Sequence, residues 1–368
     1  MTRAAPDQLV NPEPPEDDDH HEERPALRVT ARGVVLLVVF LILALAALYL
    51  IVPRIAGLDE TWHRIEDGRP VWTIAALLLT VGMFVGYVVM FRAVYGRAAT
   101  RIGWAASYQI TFAGLAASRL FAAGGAGGLV VTAWALRRAG MPKRDVADKT
   151  VSFLVLTYFP YAVAVIVCGF GLHFGLFGGP DPVSLTFVPA LVGCLMIAIA
   201  VGLAFVPPDL QRRLSRYAHE GRFARGVQTL ANVPAASSAG LRDAIEHIRS
   251  RNPALLGAVL FWAFQIAVLW AAFHAFGDSP PLAVLVQGFF IGMLGNLLPI
   301  PGGVGGVEGG MVGAYTAFGV DFDLALVAVL VFRAFTFWAP LIPGVIAYFR
   351  LRRTVDTWKH ERAASAAA

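Results

Sequence analysis

GNLLPIPGGVGGVEGGMVGAYTAFGV, residues Gly295 to Val320, is apolar enough for a bilayer but too broken for a spanning helix. Pro299 and Pro301 each lack a backbone donor, and the GGVGG cluster at 302–306 follows at once. A helix entering from Leu282 must therefore stop here and the chain must turn. The pattern occurs twice. GGAGG at 124–128 interrupts the apolar stretch Gly103 to Leu136, and a shift of 178 superposes Gly124, Gly125, Gly127 and Gly128 on Gly302, Gly303, Gly305 and Gly306. In each copy a long apolar arm precedes the glycines, and a shorter arm, a loop and a full apolar span follow.

The surroundings are those of a polytopic membrane protein. Of 368 residues 57% are hydrophobic and 15% charged, against an ordinary ~25% charged. Six unbroken runs are long enough to cross a hydrocarbon core of roughly 30 Å: Gly33 to Val52, Val71 to Phe91, Thr150 to Leu172, Ser184 to Val206, Ala254 to Phe276 and Leu324 to Phe349. Long runs exclude a porin-type barrel, whose strands are short and alternating, and the composition excludes a water-soluble enzyme core. Cys168 and Cys194 lie inside apolar runs, which leaves no disulfide framework and no CxxC metal site. Residues 1–32 read as a disordered acidic tail, 33–350 as the membrane domain and 351–368 as a second tail. The tail's DDDHHEE run reads as solvated charge, and no metal or cofactor is expected.

Charge sets the expected orientation, because short loops rich in Lys and Arg stay in the cytoplasm. Beyond residue 24 the balance is 28 bases to 17 acids. Bases crowd before Gly33, after Phe91, between Arg137 and Lys149, through the loop 207–252 and after Phe349; the loops around Gly178, Gly277 and Gly319 have none. Keeping every base-rich loop inside requires Gly103 to Leu136 to begin and end in the cytoplasm, and Leu282 to Phe318 to begin and end outside. The expected fold is therefore all-α: six full spans plus two re-entrant, glycine-broken hairpins in an inverted repeat, units about 103–172 and 282–349, with both termini cytoplasmic. In the basic loop, Leu241, Ile245 and Ile248 have the spacing of an amphipathic helix lying on the anionic inner leaflet. No basic stretch is interleaved with aromatics as nucleic-acid binding would require.

Ionisable residues inside apolar segments cost roughly 3 kcal/mol each on insertion scales and mark function or pairing. Glu308 follows GGVGG at the start of a predicted half-helix, where the helix dipole favours a carboxylate. Arg333 lies ten residues into the last run, and Arg119 precedes GGAGG, with Asn296 at nearly the same place before GGVGG. Two readings stand for Glu308 and Arg333: a buried ion pair that pins the second hairpin to the last span, or a phosphate site in which Arg333 and Arg119 are ligands and Glu308 either orients Arg333 or exchanges a proton or a lipid amine during the cycle. Gly302, Gly303 and Gly305 offer close backbone approach and broken-helix N–H groups for an anion. Alternatively Gly302, Gly306 and Gly310, or Gly305, Gly309 and Gly313, form tight packing faces. Gln109, Gln265, Gln287 and His274 read as helix-to-helix hydrogen bonders. No phosphate loop, HExxH or GxSxG motif occurs, so neither ATP use nor a catalytic residue is expected.

The stretch that opens this section, together with VLVFRAFTFWAPLIPG at Val329 to Gly344, resembles the signature of the lysylphosphatidylglycerol synthase transmembrane family. The match is carried by Pro299, Pro301, Gly302, Gly303, Gly305, Glu308 and Arg333. The resemblance implies a multi-pass protein of the plasma (inner) membrane that moves lipid between leaflets, an aminoacylated phospholipid in the best-known members; with the arginines above, the expected ligand here is an anionic lipid phosphate head group, on a phospholipid or polyprenyl-phosphate. The aminoacyl transfer carried out by a separate cytosolic domain in the best-known members is not expected to carry over. An alternative is a membrane-embedded enzyme, or an accessory subunit of an envelope synthase, acting on polyprenyl-phosphate or glycolipid. Val130 and Val155 stand opposite Glu308 and Arg333 in the first repeat, which argues against two symmetric sites.

Overall fold

The computed structural model describes residues 68–96, 101–120, 126–205, 238–250, 252–298 and 300–367. The acidic tail, the expected first span Gly33 to Val52 and most of the basic loop lie outside the described residues, as do Gly124, Gly125 and Pro299. Every regular element among the described residues is helical. Five helices are long and apolar enough to cross a membrane, and they coincide with the other five expected runs.

The first described helix, α1 (Pro70–Tyr95), starts with proline at a position that needs no donor. It packs most extensively on α7 (Pro253–Phe276), likewise opened by proline and capped by the Asn252 side chain. The two backbones touch at glycine: a Cβ on Gly257 would sit 2.7 Å from the Gly86 carbonyl oxygen. Small residues are what allow apolar helices to close to this distance when no hydrophobic force separates lipid from protein. The helix α4 (Lys143–His173) pairs with α5 (Phe187–Ala204), a nearly pure apolar helix that buries only Ala190, Gly193 and Ala204.

Between these lie two helical hairpins. The first joins α2 (Trp104–Leu120) to α3 (Ala126–Arg138), and the second joins α8 (Leu282–Met293) to α9 (Gly306–Ala317). Both are antiparallel and glycine-sealed. In the first, Gly114 faces Thr132 and Gly128 faces Ser118; in the second, Gly292 faces Gly310 and Met311, and Gly295 faces Gly306. The arms have 17, 13, 12 and 12 residues, roughly 18–26 Å of helix each. One boundary differs from expectation: α3 begins at Ala126, inside the glycine cluster, so Gly127 and Gly128 pack within a helix instead of forming the turn.

The last span is not one straight helix. After α10 (Phe322–Arg333), residues Ala334–Trp338 widen into a π-turn before α11 (Leu341–Ala367). Pro340 and Pro343 cannot donate to the preceding turn, which is the local cause. A buried core of α7, α8, α9 and α10 side chains occupies one end of the bundle, and a second core, built from α1, α2, α3, α4 and α11, occupies the end carrying the bases.

The amphipathic segment of the basic loop also departs from expectation. It forms α6 (238–249), and much of its apolar face meets protein: Leu241 and Ala244 are buried, Ile245 and Ile248 are half-buried, and Gly240 lies against the backbone of Asp148. Lys149 of α4 fastens it through an ion pair to Asp243 at 2.7 Å.

Candidate functional site

The second hairpin turns on glycine. Gly302, Gly303 and Gly305 have φ of +60°, +64° and +84°, a region that residues with a Cβ enter at a cost. This turn delivers Glu308 to the third position of α9, where its Oε2 accepts from the Gly305 N–H at 2.8 Å. The carboxylate thus serves a free donor at a helix N-terminus, where the dipole also favours it. Its other oxygen, Oε1, accepts from Arg333 Nε at 2.7 Å, and Arg333 Nη2 donates to the Gly302 carbonyl at 3.0 Å. Both side chains are about 5% exposed. Glu308 and Arg333 therefore form a buried pair that ties the second hairpin to α10.

Arg119, at the end of α2, lies beside this pair and is held differently. Its Nη1 donates to the Phe337 carbonyl and its Nη2 to the Thr336 carbonyl at 2.8 Å. In a continuous helix the Thr336 carbonyl would accept from residue 340, but Pro340 has no N–H. The guanidinium fills that place. The Phe337 ring lies between the two cations, its centroid 4.9 Å from the Arg119 guanidinium carbon and 4.2 Å from that of Arg333.

The two arginines share a cavity of about 400 Å³ between the hairpins, walled also by α1, α4 and α7. Arg119, Asn296, Gly302, Gly303 and Arg333 line it; Gly305 and Glu308 stand behind Arg333 and do not. Asn296 closes the end of α8, donating to the Met293 carbonyl at 3.1 Å. All seven residues singled out from sequence thus converge on one region, five at the wall and two in support. Among the described residues no Asp or Glu lines the cavity. With Glu308 paired to Arg333, the balance of the three charges is one positive, held where an unpaired charge is costly. Arg333 Nη1 and Arg119 Nε are left with N–H groups uncommitted to the protein contacts above.

The glycine alternatives separate cleanly. Gly306 and Gly310 press against Gly295 and Gly292, whereas Cβ atoms on Gly309 and Gly313 would meet nothing within 4 Å. Packing therefore uses the 306/310 face. Of the four polar residues expected to bridge helices, Gln265 and Gln287 are buried and Gln109 and His274 half-buried; Gln109 accepts from Thr354 and Gln287 donates to the Leu185 carbonyl. The imidazole of His274 bonds only within its own helix, to Trp270, and Gln265 Nε2 has no partner. Phe337 and the Thr336 carbonyl escaped the sequence reading; the signals available were the four-residue steps from Arg333 to Phe337 and from Thr336 to Pro340.

Comparison with known proteins places this architecture. A family model described as the lysylphosphatidylglycerol synthase TM region matches residues 26–344. A UPF0104 membrane protein of Methanothermobacter thermautotrophicus is 24% identical over 338 residues, covering 86% of this chain and 94% of that protein. Two shorter matches, to proteins of the same description and organism, are 38% identical over 87 residues and 32% over 126, covering 23% and 32% of this chain and 25% and 38% of theirs. The chain, a multi-pass membrane protein, belongs to the lysylphosphatidylglycerol synthase TM region family.

Proposed function

We propose that this protein binds the phosphate of an anionic membrane lipid between Arg119 and Arg333 and carries the head group from one leaflet to the other. The observation that carries the reading is the positive charge balance of a cavity that has no acidic lining among the described residues. An anionic head group supplies the missing charge, and planar guanidinium forks suit phosphate oxygens. Glu308 acts as a positioning residue, orienting Arg333 and sparing the face that looks into the cavity. Asn296, Gly302 and Gly303 let the head group approach the backbone.

The transport reading rests on the layout around the site. We read the two hairpins as re-entrant, since arms of 12 or 13 residues fall short of the core thickness. The shift of 178 also carries the start of α2 at Trp104 onto that of α8 at Leu282, and the Gly114–Thr132 contact onto Gly292–Gly310, which favours an inverted repeat. Broken helices meeting between inverted repeats are a transporter arrangement. Six full spans, with the expected first span included, then put both termini on the cytoplasmic side of a plasma membrane. The cavity wall includes Tyr87, Phe91 and Tyr95 of α1 and Phe153 and Leu154 of α4, in the halves of those helices nearer their base-rich ends, which favours uptake of lipid from the cytoplasmic leaflet.

The test is reconstitution of the purified full chain into liposomes carrying head-group-labelled phosphatidylglycerol. Quenching from outside should exceed the outer-leaflet half and approach completion, and Arg333→Gln should return it to half. Quenching that stays at half for anionic, zwitterionic and polyprenyl-phosphate lipids overturns the proposal. Orientation is tested separately: a cysteine at Asp278 should label from outside intact cells, and one at Arg144 should not.

A further inference from the structure

Two polar side chains in the same cavity remain unexplained by phosphate binding. Thr111 and Gln265 are 4% and 5% exposed, line the cavity, and have no hydrogen-bond partner for Oγ1 and Nε2 respectively. Thr111 departs from local habit. Buried Thr80, Thr157 and Thr336 each return the hydroxyl to the carbonyl four residues back, at 2.7–2.8 Å, the usual way a helical threonine hides its polarity in lipid. An unmet buried donor or acceptor costs free energy in a medium without water, so two such groups lining one cavity, one from α2 and one from α7, mark a surface built to be completed by something else.

We propose that Thr111 and Gln265 form a second subsite that receives a hydroxyl-bearing substituent on the phosphate, so that the ligand is a hydroxylated phosphodiester lipid and not one with a cationic head. This deepens the reading above and rests on it. Thr111 lies eight residues before Arg119 on α2, roughly 12 Å along the axis, so a group extending from the phosphate reaches it and the phosphate itself does not. Thr111 both donates and accepts, and Gln265 Nε2 donates, which matches a hydroxyl. Gln265 stands beside Trp262, whose indole N–H is already committed to the Thr157 carbonyl, leaving the subsite's polarity to the amide and the hydroxyl. A cationic head is disfavoured because the arginines leave a positive balance and no carboxylate among the described residues lines the wall. The bilayer is taken as the source, because the apolar Leu129 and the aromatic Tyr158 line the cavity while remaining 43% and 53% exposed, which suits passage of an acyl-bearing ligand.

The decisive comparison uses two lipids of equal charge, phosphatidylglycerol and phosphatidylethanol, which differ in the hydroxyls. Retention of each on the purified full chain in micelles is measured by native mass spectrometry. Wild type should hold phosphatidylglycerol about tenfold more tightly, and in Thr111→Val/Gln265→Leu that ratio should fall toward one. Equal retention by wild type overturns the hydroxyl subsite while leaving phosphate binding intact; loss of both lipids from wild type overturns both. Because the wild-type ratio decides, the proposal survives a variant that fails to fold. Glycerol 3-phosphate at millimolar concentration should not displace the lipid, and if it does the bilayer assignment is overturned.

Discussion

Replacing Glu308 by glutamine removes one charge from a pair that is about 5% exposed on both sides. The amide oxygen can still accept from the Gly305 N–H, so the turn keeps its cap, and the loss reports the charge together with the Arg333 Nε hydrogen bond to the other oxygen. Stranding a buried Arg333 should cost about 3–5 kcal/mol, a fall in Tm of roughly 10 °C at 2–4 °C per kcal/mol. Denaturant titration of the purified chain in mixed micelles measures it. Arg333→Met in the same background removes the stranded cation, so the double variant should recover at least about 2 kcal/mol relative to additivity. The loss should also shrink in micelles containing phosphatidylglycerol, since a bound anion replaces the missing carboxylate. An Glu308→Gln cost under about 1 kcal/mol, or strict additivity in the cycle, would refute the argument that this pair holds the hairpin.

Arg119→Gln should lower leaflet exchange at least tenfold in the quenching assay, and Arg119→Lys should not rescue it, because one ammonium cannot serve two carbonyls and a phosphate in fixed geometry. Gly128→Ala places a methyl against Ser118 and the Gly114 carbonyl, and should cost about 1–3 kcal/mol in thermal unfolding. Gly309→Ala, facing open space, should be neutral or stabilising by about 0.5–1 kcal/mol. At the other end of the molecule, burial would raise the Asp243 carboxyl, but the hydrogen bond and charge of Lys149 outweigh it and hold it below the usual range. A depressed carboxyl contributes stability above its unfolded pKa of about 3.9 and loses it as pH falls through the folded value. Asp243→Asn should therefore cost at most about 1 kcal/mol at neutral pH, and its difference from wild type should narrow in acid unfolding curves below about pH 4.

Span-level structure was legible because a bilayer imposes one length and one polarity on every crossing segment, and five runs could be read without tertiary information. The site was legible for the same reason: Glu308, Arg333 and Arg119 are conspicuous where charges are rare. What sequence could not give was partnership. That Arg119 serves main-chain carbonyls depends on a residue 217 positions away and on Pro340 having emptied one of them. The face of α6 was read correctly as apolar but assigned to lipid, since periodicity tells which side is greasy and not what covers it. The glycine faces of α9 were likewise indistinguishable until the α8 backbone showed which one it leaned on.

The charge balance of the cavity has an electrical consequence. Arg119, Arg333 and Glu308 sum to one positive charge, and a monoanionic phosphodiester brings the loaded site to zero. In a membrane at 100 mV, moving one elementary charge through the whole field takes about 2.3 kcal/mol. On the phosphate reading, the loaded site crosses whatever share of the field it traverses without electrical work, and the empty site does not. The membrane potential then acts on the return of the empty carrier, so that voltage sets how fast the protein resets and leaves the equilibrium distribution of the lipid to its own charge.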